Sequence, residues 1–423
     1  MLATTATTSA LRALSADGRL LFLTRSIRLF AYGLLSVILV LYLTGLGLSE
    51  AQTGMLLTLT LLGDTAVSLW MTTHADRLGR RRMLLAGAAL MVGAGVTFAF
   101  TRQLWLLTLA GIIGVISPSG NEVGPFLSIE QAALTGVIAD GARTATFAWY
   151  TLAGAFATAA GALAAGLLTQ GLERNAALPP LASERFIVIL YAALGLSLAL
   201  PFVRLSPAVE PPRIGSSVRA KTLLGIGAAR DAVLKLSGLF ALDAFGGGFV
   251  VQSLTAYWFF LRFHVQPATL GGIFFWANVF AGISALLASR LAARIGLVRT
   301  MVFTHLPSNL LLILVPLMPN LQLAIVVLLL RFSISQMDVP TRQSYTMALV
   351  SPEERSAAAG VTGVARTTGS AVSPWLAGFL LGQPSLINLP FFLAGGLKIL
   401  YDLLLYRAFV RLPPPEETQP RRL

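Results

Sequence analysis

Residues 117–143 read SPSGNEVGPFLSIEQAALTGVIADGAR and lie between apolar runs at 104–116 and 147–168. A membrane-crossing helix is expected there, yet the stretch holds Glu122, Glu130, Pro118, Pro125 and three glycines before Asp140. Charge near the bilayer centre is expensive, so such residues face a cavity or a partner. Proline and glycine interrupt the helical ladder, and the freed backbone groups are tolerated only against protein or water. The stretch has a counterpart in RFSISQMDVPTRQSYTMALVSPEER (331–355). A shift of 212 residues lays Arg342–Gln343 on Glu130–Gln131, and Arg355 on Arg143. Matching helices are therefore expected to face each other across a pathway, one presenting an acid where the other presents a guanidinium.

Composition agrees with a chain immersed in lipid. Of 423 residues 56% are hydrophobic and 12% charged, with a mean hydropathy of +0.77. Soluble domains carry roughly 25% charged residues, so a polytopic membrane protein is expected. With no cysteine, disulfides, thiolate metal sites and cysteine nucleophiles are excluded, while the compartment stays open. The N-terminus lacks a compact signal core with a small-residue cleavage site, so the first apolar run reads as a retained span.

Twelve apolar runs approach the length needed to cross hydrocarbon. They cover 20–46, 51–74, 83–101, 104–139, 146–169, 185–204, 236–261, 268–289, 299–318, 321–349, 356–382 and 388–409. The fourth is too long for one simple crossing. The fold expected is an all-α membrane protein of twelve transmembrane helices in two pseudo-symmetric six-helix bundles. Residues 1–205 and 236–411 form the bundles, 206–235 a cytoplasmic linker with an amphipathic surface helix around 217–233, and 412–423 a cytoplasmic tail. Placing both termini in the cytoplasm leaves only Arg102, Arg174, Arg185 and Arg262 in outer loops. Arg77, Arg80, Arg81 and Arg82 and the basic linker then lie inside, as the positive-inside rule requires. The net charge of +13 is thus a set of topology signals spread over loops, which argues against a nucleic-acid partner.

The halves repeat. A shift of 217 lays Gly271 on Gly54 and ARIGLVR (293–299) on DRLGRRR (76–82), whereas 212 lays Gly378 on Gly166. The change of offset by five residues (217 − 212) implies extra residues in the first half, at the 117–125 interruption. Internal symmetry of this kind marks secondary transporters with a site near the membrane midplane.

Twelve ionisable residues fall inside the spans: Arg25, Arg28, Arg331, Arg342, Arg366 and Lys398 against Asp64, Glu122, Glu130, Asp243, Asp338 and Asp402. The two signs balance (6 − 6), as expected of groups that neutralise one another in a low-dielectric interior. Arg331, Ser335, Asp338, Arg342 and Tyr345 recur at steps of four and three, which places them on one helix face. Glu122, Phe126 and Glu130 form a similar stripe if helicity survives Pro125. Glu122, Glu130, Arg331, Asp338 and Arg342 are expected at a cavity for substrate and protons, with Arg25, Arg28 and Asp243 towards the cytoplasm. Glu130 paired with Arg342 is the expected functional couple. Asp64 reads equally as proton carrier or packing bridge, and Lys398 with Asp402 as a self-satisfied i,i+4 pair. His74, His264 and His305 lie in or near separate loops, so surface histidines and no metal site are expected. The run 153–166 reads as a close helix contact, and 246–248 as a flexible point or tight contact. Tyr257, Trp258 and Trp276 read as interfacial belt residues or a stacking platform. No nucleotide-binding motif, cofactor motif or nucleophile–base arrangement is found, so no enzyme is expected.

Asp76-Arg77-Leu78-Gly79-Arg80-Arg81-Arg82, between the second and third spans, resembles the loop signature of the major facilitator superfamily. The resemblance covers nearly the whole chain: twelve spans, two halves, a long linker and an echo of the loop at 294–299. It implies that Asp76 docks on the N-terminal end of the eleventh helix near Ser356, and that Arg77 or Arg80 pairs with Asp140. Gly79 belongs to the same cytoplasmic gate. Thr72 and His74 depart from the signature, and Gly161-Ala162-Leu163-Ala164-Ala165-Gly166 lacks the proline of many drug exporters.

Residues and resemblance together imply a secondary active transporter for a small polar or charged solute, working by alternating access, proton-coupled and exporting. It is expected as a multi-pass monomer in the inner (plasma) membrane, with lipid, solute and protons as partners. The rivals are an importer or exchanger of organic or inorganic anions, with Arg331 and Arg342 as clamp, and a receptor or scaffold that has lost transport.

Overall fold

Gly79 and Gly296, 217 positions apart, both turn the chain with positive φ, at 100° and 89°. Gly47 and His264, again 217 apart, do the same at 98° and 51°. Glycine adopts this region without steric cost, whereas histidine does so only where the turn demands it. The repeat read from sequence is therefore a repeat of backbone geometry. These angles come from a computed structural model that describes residues 14–122, 124–138, 143–211, 229–351 and 354–411.

The described residues are all-α, without strands. In the first half the helices are α1 (Ala16–Gly45), α2 (Glu50–Leu78), α3 (Arg80–Phe100), α4 (Leu104–Ile113), α5 (Phe126–Val137), α6 (Arg143–Asn175), α7 (Pro180–Ser197) and α8 (Ala199–Val203). In the second they are α9 (Arg230–Gly248), α10 (Gln252–Phe263), α11 (Pro267–Ile295), α12 (Leu297–Leu314), α13 (Leu321–Phe332), α14 (Asp338–Ala348), α15 (Arg355–Leu381) and α16 (Leu389–Phe409). Among the described residues, nine stretches are long and apolar enough to cross a membrane. The other three expected spans are the fourth and tenth, each broken in two, and the eleventh, which carries Thr362, Arg366, Thr367, Thr368 and Ser370 within nine residues (362–370).

The breaks account for the change of offset. Leu104 and Leu321 open α4 and α13 at a spacing of 217, while Phe126 and Asp338 open α5 and α14 at 212. Helix α13 runs two residues further than α4, to Phe332, so residues 114–125 in the first half stand against 331–337 in the second, and the five extra residues lie inside the break. Pro125 sits at the N-cap of α5, where the missing N–H costs no helical bond. Glu122 consequently lies in irregular chain, so the expected stripe of Glu122, Phe126 and Glu130 on one helix does not form. Likewise Asp338, Arg342 and Tyr345 share a face of α14, but Arg331 belongs to α13.

Contacts divide the chain into two units, Met1–Ile214 with Thr255–Asn278, and Gly215–Leu254 with Val279–Leu423. In the first, α1 packs on α6 through glycines. A Cβ added at Gly33 would stand 2.2 Å from the Thr158 carbonyl oxygen, and one at Gly161 2.0 Å from that of Phe30. In the second, α9 packs on α15 in the same manner: Cβ atoms at Gly248 and Gly369 would stand 2.4 Å from the Ser370 and Ala241 carbonyl oxygens. Small residues let helix backbones approach where lipid supplies no hydrophobic drive. Both small-residue runs are thus tight contacts.

The segment 255–278 groups with the first unit for visible reasons. Tyr257 donates to Glu50 Oε1 at 2.8 Å, the Ala268 N–H donates to Gln170 Oε1 at 3.0 Å, and Gly271 meets Gly166. Trp258 is fully buried against Phe259 and Phe263, so it is neither a belt residue nor a free stacking surface. The surface helix expected around 217–233 lies largely outside the described residues, as does the tail 412–423.

Candidate functional site

Each unit buries its own polar cluster, and each cluster joins the first helix of a half to the fragment that follows the break. In the first unit Arg28 of α1, without exposed surface, is the hub. Its Nη1 lies 2.8 Å from Glu130 Oε1 on α5, and its Nη2 donates to Glu130 Oε2 at 2.8 Å and to Glu122 Oε1 at 2.5 Å. Arg25, one turn earlier, pairs with Glu122 Oε2 at 2.8 Å. Thr24 donates to Glu130 Oε1 at 2.8 Å, and the Tyr150 hydroxyl of α6 donates to Oε2. The two guanidiniums also lie over aromatic faces, Arg25 on Tyr150 and Arg28 on Phe126, at 4.3 and 4.5 Å. Two cations and two carboxylates thus neutralise each other inside one unit, which is the condition for burying charge at tolerable cost.

In the second unit Asp243 of α9 is the hub. Its Oδ1 accepts from Lys398 Nζ at 2.6 Å and lies 3.7 Å from His305 Nε2, while Oδ2 accepts from Arg342 Nη1 at 3.1 Å. Arg342 also pairs with Asp338, one turn back on α14, at 3.2 Å. His305 Nδ1 lies 2.9 Å from Asp402 Oδ1, and Asn309 donates to Asp402 Oδ2 at 2.9 Å. The cluster therefore ties α9, α12, α14 and α16 together.

The side chains pair otherwise than expected. Glu130 takes its cation from Arg28, and Arg342 takes its carboxylates from Asp243 and Asp338, each within its own unit. The repeat identifies equivalent positions, and equivalence is not contact. Lys398 reaches across to Asp243 on α9 in place of its i,i+4 neighbour Asp402, whose oxygens are taken by His305 and Asn309. His305 is buried two turns into α12 and not at the surface. Sequence reasoning passed over Thr24, Tyr150 and Asn309, and put His305 at the surface. For His305 and Asn309 a signal existed, since a histidine and an asparagine four apart on an apolar helix share one face.

Three of the twelve ionisable residues inside the spans have no ion pair among the described residues. Asp64 on α2 is 9% exposed, and the side-chain hydrogen bond it accepts is a long one from Ser68, at 3.4 Å on its own helix. Arg331 lies over the Phe332 ring at 4.8 Å, and Arg331 and Arg366 both have a buried Nε without a partner.

The loop motif behaves as a helix-capping device within the first unit. Arg80 pairs with Asp76 at 2.9 Å across one turn, and Arg77 is exposed. Helix α3 starts at Arg80 after Gly79 with no side-chain cap of its own. Glu210, from the chain following α8, supplies one by accepting from the Arg80 and Arg81 N–H groups at 2.7 and 3.2 Å. The Arg80 guanidinium donates to the Ala132 and Val209 carbonyl oxygens. Ser206 anchors the same segment on Asp17 of α1, its N–H donating to Oδ1 at 2.9 Å. Asp140, the partner implied for Arg77 or Arg80, lies outside the described residues.

The match to known proteins is broad. A family model of the Major Facilitator Superfamily fits residues 21–365 and 241–423. The uncharacterized membrane protein YJR124C of Saccharomyces cerevisiae is 30% identical over 94% of both chains. Among solved structures, a mutant of the nucleoside transporter NupG superposes with a TM-score of 0.75 at 13% identity, over 93% of this chain and 100% of its own. The human organic anion transporter MFSD10 gives 0.59 at 18% identity, over 92% and 99%. A bacterial homologue of the lysosomal transporter Spinster, solved inward-facing and unoccupied, gives 0.64 at 15%, over 93% and 95%. With its family profile matched over residues 21–423 and its fold shared with these transporters, the chain belongs to the major facilitator superfamily, whose members carry solutes across membranes.

Proposed function

We propose that this protein is a proton-coupled secondary active transporter that exports a small polar or charged solute by alternating access. One observation carries the reading: both halves interrupt the same span, and a buried charge cluster lies at each interruption. Irregular backbone at membrane depth requires protein or water around it, and paired short segments at corresponding positions mark transporter binding sites. Glu122, Glu130, Arg25 and Arg28 line the pathway in the first unit, and Asp243, Asp338, Arg342 and Arg331 in the second. The solved relatives named for nucleosides and organic anions are consistent with a polar solute.

Asp64 is the proton carrier in this reading. Every other buried carboxylate in the spans holds a cation or a histidine, so its titration would dismantle a cluster. Asp64 holds neither among the described residues and can gain or lose a proton without breaking an ion pair. The chain works as a monomer in the plasma membrane with both termini in the cytoplasm. Flux of radiolabelled uridine and benzoate in proteoliposomes under imposed pH gradients tests coupling. Acceleration of one of them by the gradient is expected, and flux indifferent to the gradient would reject it.

A further inference from the structure

The balance of intramembrane charge, even over the whole chain, is uneven between the units. The first holds Arg25 and Arg28 against Asp64, Glu122 and Glu130 (2 − 3), and the second holds Arg331, Arg342, Arg366 and Lys398 against Asp243, Asp338 and Asp402 (4 − 3). Two of the four cations lack a carboxylate, because Asp402 is taken by His305 and Asn309. Lys398 is taken by Asp243, and Arg342 by Asp243 and Asp338. Arg331 and Arg366 have no ion pair or hydrogen bond among the described residues, and in each the Nε is buried and unsatisfied. Arg366 stands within the field of the Arg342 guanidinium, a like charge, and of Asp243 and Asp338. Arg331 stands within the field of the same Asp243–Asp338 group.

We infer that the second unit binds an organic anion, with the carboxylate held by Arg331 and Arg366 and Arg342 locked as their positioning residue. An uncompensated guanidinium at membrane depth is costly and is retained where a ligand completes it. Its planar fork matches a carboxylate with two parallel hydrogen bonds, and arginine keeps its charge throughout the cycle. Arg342 is already neutralised through its Nη1 by Asp243 and Asp338, which leaves Arg331 and Arg366 as the guanidiniums without a carboxylate. An apolar groove of about 540 Å³ between α9 and α15, lined by Leu242, Phe245, Ala365 and Val372, begins at the residue preceding Arg366. It suits a hydrocarbon body attached to that carboxylate. The assignment rests on the transporter reading but is tested separately from it.

The full-length protein in detergent, titrated with benzoate, 2-naphthoate, inorganic phosphate and benzylammonium, gives the test by thermal shift. Benzoate and 2-naphthoate should stabilise it, phosphate less, and benzylammonium not at all. Arg331→Gln and Arg366→Gln should each raise the apparent Kd at least about tenfold, the loss of one charge-assisted contact. Arg331→Lys and Arg366→Lys, which keep charge and fold but lose the fork, should recover part of the binding. Stabilisation by benzylammonium equal to that by benzoate, binding unchanged in both glutamine variants, or no stabilisation by any of the anions would overturn the proposal. Each of those outcomes leaves two-sided access to the pathway, measured by thiol labelling, unaffected.

Discussion

Glu130 Oε1 lies 2.8 Å from Arg28 Nη1, and neither side chain has any exposed surface. The repeat counterpart of Glu130 is Arg342, which reaches Asp243 on the first helix of its own half at 3.1 Å. The same strut therefore occurs twice with inverted polarity: acid on the broken span in one half, base in the other.

Breaking one strut should be more harmful than neutralising the other end. Arg28→Gln leaves Glu122 and Glu130 facing each other with Arg25 as their remaining cation, and removing one partner of a buried pair costs about 3–5 kcal/mol. Glu130→Gln leaves Arg28 its Glu122 contact and keeps one acceptor oxygen, for Thr24. Thermal unfolding of the detergent-purified protein should therefore place Arg28→Gln well below Glu130→Gln, with both below the parent.

Asp64→Asn should fold normally, because no ion pair is broken. Flux driven by a pH gradient should disappear, while exchange of solute against solute, which needs no net proton movement, should persist. Proteoliposome assays of the two modes on one preparation make the comparison.

Glu210→Ala should uncap α3. Loss of a helix N-cap costs about 1 kcal/mol, and the carboxylate also favours the positive end of the helix dipole. Limited proteolysis should show faster cleavage within 205–211 in this variant, while Glu210→Asp, which keeps the charge, should be protected in part.

Gly271→Leu should detach the 255–278 segment from α6, since even a Cβ there stands 2.8 Å from the Ala162 carbonyl oxygen. A cross-link between cysteines placed at Glu50 and Tyr257, whose side chains are hydrogen-bonded, should form in the parent background and fail in the Gly271→Leu one.

Much of this was legible in the chain itself, and what was not has physical reasons. Backbone repeats write themselves into glycine positions and span lengths, so Gly79 with Gly296 and the five-residue surplus near Pro125 could be read directly. The charged residues were legible as a set, because charge within apolar runs is conspicuous. Their partners were not: Glu130 was matched to Arg342 by repeat position, whereas pairing is decided by which helices touch. His305 was misjudged because its helix begins at Leu297 and carries it inward. Glu210 gives no local sign at all, since the helix end it caps is 130 residues earlier.

The break in the fourth span offers the most direct test. Asn121 lies exposed in its irregular chain, and the protein contains no cysteine, so Asn121→Cys introduces a single thiol. In oriented vesicles, a membrane-impermeant maleimide applied to either face in turn should label it from both sides, with the rates shifting in opposite directions when a pH gradient is imposed. Labelling confined to one face under every condition would contradict alternating access at this site.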